Sequence, residues 1–294
     1  MNFQALTDLA GGRLGVIDTV CPLCSHERRP QNQRKRVLRL WVDTDAITFC
    51  CVHCGAKGYV LADNRSRLPE VDRERCEQRR AEAVRYQADY DETQLRKALW
   101  LWGRSCPAEG TIVEAYIAAR GLSLEPLPAT LRFLPPTKPE RHPAMIVAFG
   151  IPEEPEPGRL SINDGAVRGV HLTLLKPDGS GKADIEPNKI MVGKSTGSPI
   201  VLAPMNDLLG LAIAEGIENA LTAYQANGFG VWAAGAAERL PALADIVPDY
   251  ADCIAIAIDD DEAGRVNSGE LARRLLERGL RVELNLSAVA EIAA

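Results

Sequence analysis

LGLAIAEGIEN (residues 209–219) and CIAIAIDDDEAG (residues 253–264) decide the fold. Each is a short apolar run that ends in carboxylates and passes at once into a helix-forming segment. An apolar run of this length without alternation belongs to a strand covered on both faces. FGVWAA (229–234) and LRVELNL (280–286) are two more such runs. The stretches between them, ENALTAYQANG, AERLPALADIV and GELARRLLERG, have helical composition. Regular alternation of this kind predicts a mostly parallel, Rossmann-like α/β sheet with flanking helices over residues 206–294. In such a sheet both acidic clusters fall at the carboxyl ends of strands, where ligands bind. Glu215, Asp259 and Asp261 then converge and repel one another unless a cation intervenes. Mg2+ or Mn2+, a hard ion taking oxygen ligands and bridging to phosphate, is the matching partner. Asp260 points away if the run is extended, because alternate side chains face opposite ways. Helix capping is the alternative reading for any one of these acids. It does not account for a Glu-Gly pair and a triple Asp both placed after buried strands.

Upstream, residues 106–205 read as a mixed α+β basic lobe. It has one helix, IVEAYIAA, closed by Gly121, and strands such as AMIVAFG and VRGVHLTLL. PPTKPERHP and PEEPEPG read as loops. Residues 61–105 form a charged helical linker ending in TQLRKALWLW, where Leu95, Ala98, Leu99 and Trp102 repeat at helical spacing as a core-facing stripe.

Residues 1–60 carry two CxxC knuckles, Cys21/Cys24 and Cys51/Cys54, with β-like stretches between them (VLRLWV, AITFC). Each knuckle delivers two thiolates to one side of a tetrahedral ion, so the four cysteines predict a structural Zn2+ with no open position. Cys50 reads as a buried strand residue; His26 and His53 are the alternative ligands nearby. Arg34, Arg36 and Arg39, followed by Trp41, suit a single nucleic-acid strand held by phosphate contacts and stacking. A solvated loop is the alternative for the arginines up to Arg36.

The acidic motifs carry a resemblance. EG after one strand (Glu215, Gly216), a Gly-bearing loop after the next (Ala234-Gly235-Ala236) and DxDxxG after a third (Asp259, Asp261, Gly264) resemble the Toprim domain. With GAVRGVHLTLL, PDGSGKA and the zinc ribbon in front, the order is similar to that of bacterial and phage-type DNA primases and the primase-like Toprim proteins of mobile elements. The resemblance implies a nucleotidyltransferase that makes short primers on single-stranded DNA from nucleoside triphosphates, with a replicative helicase or another replication protein as a further partner. It implies Glu215 as acid/base carboxylate, Asp259 and Asp261 as magnesium ligands, and Arg168, Lys189 and Lys194 as groove cations for template or nucleotide phosphates. Surface decoration is the alternative for those three. A Toprim nuclease, or a DNA-binding replication accessory protein with an incomplete site, are the competing functional readings.

The sequence departs from the primase pattern. Asn219 stands where many primases have Asp, and no Asp follows LRVELNL, so the second metal position is expected to be under-liganded. Neither the helical nor the helicase-binding part of such primases is expected within these 294 residues.

The totals fit this picture. Residues 1–110 hold 18 Lys and Arg against 15 Asp and Glu, and the rest 16 against 25, so a basic front precedes an acidic rear. Five of eight cysteines fall in the first 54 residues, which points to metal rather than disulfides in a chain expected to carry no secretory signal. No apolar run approaches the roughly 18 residues of a membrane span, and a cytoplasmic location is expected. Gly193-Lys194-Ser195-Thr196 lacks the first glycine of a Walker A loop, no Thr completes a DxDxT motif after Asp259, and no GxGxxG follows the first strand. An ATPase, a dehalogenase-like phosphatase and a dinucleotide-binding dehydrogenase are thereby set aside.

Overall fold

The computed structural model describes residues 1–62, 70–138 and 141–286. The chain divides into two compact units, Met1–Ala83 and Val84–Ala294.

The first unit is a short helix α1 (Phe3–Leu9) and a four-stranded antiparallel meander: β1 (Gly15–Thr19), β2 (Leu38–Val42), β3 (Ala46–Cys51) and β4 (Lys57–Leu61). Alternation along the strands sorts its residues. Ile17, Leu38, Leu40, Val42 and Ile47 face inward and pack with Leu6 and Ala10. The register Val16–Trp41–Thr48–Tyr59 runs across all four strands on the other face, which is largely open. An apolar core this small does not hold a domain unaided; modules of this size need a metal or disulfide staple.

The division between units falls within helix α2 (Glu70–Gly103). Beyond it come β5 (Cys106–Pro107), α3 (Ile112–Ala119), β6 (Leu131–Leu134), β7 (Ala144–Phe149), the hairpin β8 (Glu153–Glu156) and β9 (Arg159–Ser161), β10 (Gly169–Leu174) and β11 (Lys189–Gly193). The PEEPEPG stretch expected as a loop is thus half of an exposed hairpin, turned at Gly158, where φ is +77°. The strands β11-β10-β7-β6-β5 form an antiparallel sheet. Every residue of β7 is buried because both faces are covered. Ile146 and Ala148 meet Ala98, Leu101 and Trp102 of α2, and Met145, Val147 and Phe149 pack in the core that includes Tyr116 and Ile117 of α3.

The second sheet comprises β12 (Ile200–Ala203), β13 (Gly210–Ala214), β14 (Gly230–Ala233), β15 (Cys253–Ile258) and β16 (Val282–Leu286), in the order β12-β14-β13-β15-β16. All its neighbours pair parallel except β12, which runs antiparallel at the edge. Helix α4 (Ile217–Asn227) supplies Ile217, Ala220 and Leu221 to the core shared with the first sheet. On the far side, α5 (Glu262–Glu277) packs Leu271 and Leu275 with Leu240 and Leu243. The segment Ala237–Asp245, which the sequence suggests as an α-helix, is a 3-10 helix instead. Pro241 inside it lacks the N–H an α-helix would use and crowds the preceding turn.

Candidate metal centre and acidic crevice

The cysteines of the two knuckles come together in the first unit. Cys51 ends β3, and the turn after it brings Cys54 beside Cys21, with Sγ–Sγ 3.9 Å; Cys24 lies 3.8 Å from Cys51. All four sulfurs lie within 4.8 Å of one another. Zinc–sulfur bonds of ~2.3 Å in a tetrahedron put sulfurs about 3.8 Å apart, so the donor set fits Zn2+. Burial and neighbouring thiols push Cys24 up to about 12, which reflects the cost of placing thiolate charge there without a cation. Cys50 points off the cluster by strand alternation and is half-buried, less enclosed than the sequence implies. His26 pairs with Glu27 at the surface and His53 is exposed; neither joins the cluster.

In the second unit, Glu215 follows β13 and Asp259 follows β15, two adjacent parallel strands. Both carboxylates therefore stand at the same end of the sheet. Burial, then Asp259 and Asp261, push the Glu215 carboxyl up to about 7, partly offset by Lys189. Asp259 accepts a hydrogen bond from Asn219 Nδ2 of α4 at 2.5 Å. Asp261 caps α5, its Oδ1 accepting the Gly264 N–H at 2.7 Å. Gly264 is required there, since a Cβ would lie 2.6 Å from the Asp259 carbonyl oxygen. Asp260 turns outward to Arg265, as an extended run demands. Among the described residues, only the four cysteines gather at metal-binding spacing. The three acids repel one another, and two of them are held by Asn219 and by the α5 N-terminus.

Lys189, which acts on Glu215, also acts on a buried polar group formed around Glu218 and His171. Glu218, in the first turn of α4, is turned into the core. It accepts a hydrogen bond from Tyr116 at 2.7 Å and an ion pair from Lys182 at 2.8 Å. Burial would raise its pKa, but Lys182, Lys189 and the Tyr116 hydroxyl outweigh that and pull it down to about 2. Glu218 is thus a structural anchor between α3, α4 and the loop carrying Lys182. His171 on β10 is 2% exposed and its Nδ1 has no hydrogen-bond partner among the described residues. Burial and the nearby cations Lys189, Lys182 and Arg239 hold it neutral, with a pKa of about 4. Arg239 stacks on Phe149 at 4.5 Å and donates to the Ala234 carbonyl and to Ser195, tying the loop after β14 to the first sheet. In that loop Gly235, at φ +85°, donates its N–H to the Glu215 carbonyl at 2.8 Å. Its Cβ position lies 3.0 Å from the Phe149 ring, so glycine lets the loop close over it. Lys182 lies within the PDGSGKA stretch and Glu218 within EGIE, so both were visible as residues; their pairing over a large sequence separation was not.

Replacing Glu218 by Gln should lower unfolding stability by about 1–3 kcal/mol at pH 7, read by urea denaturation, since the Tyr116 bond survives while Lys182 loses its charge partner. The folded pKa is depressed, so the stabilisation is present above the ordinary 4.5 and lost as pH falls toward about 2. The two proteins should therefore converge in acid.

The remaining sequence candidates are placed differently. Lys189 is exposed on β11 and acts electrostatically on Glu215, Glu218 and His171. Lys194 is engaged with Asp91 of α2 at 2.9 Å, and Arg168 is exposed. In the first unit Arg34 and Arg36 are exposed. Arg39 forms a two-point ion pair with its cross-strand neighbour Asp18, at 2.7 and 2.8 Å, beside half-buried Trp41.

Residues 92–202 match a family model described as a domain of unknown function, DUF7146. No curated protein matches the chain. Among solved structures, the chain is similar to the zinc-binding and RNA polymerase domains of the Aquifex aeolicus primase. The identity is 15% and the TM-score 0.42, over 96% of this chain and 76% of that one. It is similar to the primase fragment of the bacteriophage T7 primase-helicase protein at 16% identity and TM-score 0.35, over 63% of this chain and 66% of that one. A DNA primase domain from Pseudomonas aeruginosa is similar at 14% identity and TM-score 0.38, over 60% and 64%. Among the described residues, no helix is long and apolar enough to cross a membrane.

Proposed function

We propose that this chain is a primase-type nucleotidyltransferase of the Toprim class, with a zinc ribbon at residues 1–60, a linker to 105, a basic lobe to 205 and the Toprim domain beyond. The observation that carries the reading is the position of Glu215 and Asp259. They end adjacent parallel strands, beside Asp261, and Glu215 is held near a pKa of 7 opposite Lys189. That raised value reflects burial and then carboxylates drawn together, a repulsion that a bound metal ion would relieve. Glu215, Asp259 and Asp261 would hold Mg2+ or Mn2+, which supplies charge neutralisation of a triphosphate and alignment of the attacking 3′-hydroxyl. Lys189 would meet the phosphates. The open ribbon face with Trp41 and its flanking arginines would hold single-stranded template, the four cysteines keeping that sheet folded around Zn2+. Replication is the setting this activity serves, with a helicase as the natural further partner.

One observation favours a second reading, a DNA-binding accessory protein with an incomplete site. Asp259 is held by Asn219 and Asp261 by the α5 N-terminus, so the metal must displace or share both carboxylates. The experiment that decides is incubation with single-stranded DNA, ribo- or deoxyribonucleoside triphosphates, and magnesium or manganese. Labelled oligonucleotides appearing with the wild type and absent with Glu215→Gln support the primase reading. DNA binding with no product under any of these conditions supports the accessory reading.

A further inference from the structure

Within the second unit, helix α2 carries an exposed aromatic surface that the acidic site does not use. Within the second unit, one face of the helix packs Ala98, Leu101 and Trp102 into the core, and Asp91 is tied to Lys194. At 100° per residue, Tyr86, Tyr90, Thr93, Lys97, Trp100 and Arg104 fall on a single arc about 80° wide, which adjoins the packed face at Leu101. The three rings are 60%, 52% and 52% exposed, and Lys97 and Arg104 are exposed too. The Arg104 guanidinium lies over the Trp100 ring at 4.9 Å. One face of the indole is thereby covered by a cation, and the rest of its exposed area remains open to a planar group.

The composition of this arc selects its occupant. Helix faces that dock into protein grooves present a continuous apolar stripe at i, i+3, i+4 and i+7, whereas this arc interleaves its rings with cations and a threonine. This arc has no aliphatic residue. It has three aromatic rings, two cations and a threonine; the exposed Asp89 lies about 20° beyond its edge, with Arg96 next to it on that flank. Rings take the faces of unpaired bases, and interleaved cations take backbone phosphates. Tyr86 and Tyr90 are one helical turn apart, ~6 Å along the axis, and the whole arc spans about 27 Å. Those spacings suit several nucleotides of an extended strand.

We infer that this arc of α2 is a binding track for single-stranded DNA, separate from both the ribbon face and the acidic crevice. The inference does not depend on primer synthesis, because binding is its only readout.

The test uses the full chain carrying Glu215→Gln, without nucleotides, and a 20-nucleotide oligodeoxythymidylate. Affinity is read by fluorescence anisotropy, and contacts by ultraviolet cross-linking to a bromodeoxyuridine version, mapped by mass spectrometry. Trp100→Ala and Tyr90→Ala should each weaken binding by about tenfold. A Lys97→Ala, Arg104→Ala double variant should lower the salt dependence of log K by about 1.4, the release expected for two single-strand phosphates. Cross-links should appear at Tyr90 or Trp100. Wild-type affinity and salt slope in all these variants, with cross-links confined to other segments, would overturn the inference. So would variants that bind DNA normally but lose self-association or capture of a protein partner. Primer synthesis failing in the wild type, with these binding losses intact, would count against the proposed function alone.

Discussion

Changing Cys24 to Ser is expected to unfold the first unit while the second keeps its structure. Cys24 is 3% exposed and belongs to a core of about ten residues, most of them on one face of a four-stranded meander. Such a core cannot offset the chain entropy of some sixty residues at roughly 1.5 kcal/mol each. Structural zinc contributes apparent free energies of about 10–16 kcal/mol in small modules at pH 7, which is the scale needed. A serine oxygen is a poor substitute for thiolate, and at Cys24 it would also be buried. Native mass spectrometry should find one zinc per chain in the wild type and none in the variant. Amide exchange should become fast across Leu38–Cys51 and stay slow across Ala144–Phe149 and Gly210–Ala214. Cys54→Ser should be milder, because Cys54 is exposed and water can complete the shell. A wild-type chain with a protected, folded meander and no metal would show that the cysteines are not the staple.

What was legible in the sequence follows from how local each determinant is. The CxxC knuckles announce themselves by spacing, and their convergence needs only one hairpin to close. The runs LGLAIA and CIAIAI lie buried on both faces, so periodicity alone assigns them to interior strands. Pro241 was equally visible, and its effect on Ala237–Asp245 is local chemistry that composition reading ignored. The buried polar group around Glu218 was not legible. Tyr116, Lys182 and Glu218 meet only because α3, the loop after β10 and α4 pack around one core, and nothing near any of them in sequence specifies that. Arg39 shows the same limit from the other side: its charge invites a phosphate, while strand register delivers Asp18. The capping role of Asp261 and the Asn219 bond to Asp259 likewise depend on where two helices begin relative to two strands.

Glu215→Gln should have the largest effect on chemistry and an opposite effect on stability. Burial and the carboxylates of Asp259 and Asp261 raise the Glu215 pKa from the ordinary 4.5 to about 7. A raised carboxyl contributes its stability below 4.5 and loses it as pH climbs through about 7, where the third negative charge appears. Glutamine keeps the shape without ever ionising. The variant should therefore match the wild type near pH 4.5 and exceed it by about 1–2 kcal/mol at pH 8, after allowance for solvent screening of a half-buried group. Adding magnesium should close that gap, since a cation favours the ionised wild-type site and has less to bind in the variant. Protons compete with the ion for Glu215, so cation affinity should also fall as pH drops below about 7. If the chain makes primers, the same substitution should reduce synthesis by at least about a hundredfold while leaving DNA binding intact. Wild-type synthesis by the variant would remove Glu215 from the site. The magnesium requirement then reports how complete the site is. Two-metal phosphoryl chemistry needs ions about 3.5–4 Å apart, and here Asn219 supplies an amide where a further carboxylate would strengthen the second position. Half-maximal synthesis is expected only at millimolar magnesium, or with manganese. Half-maximal synthesis at micromolar magnesium would mean that the carboxylates of Asp259 and Asp261 leave their present partners and complete the shell by themselves.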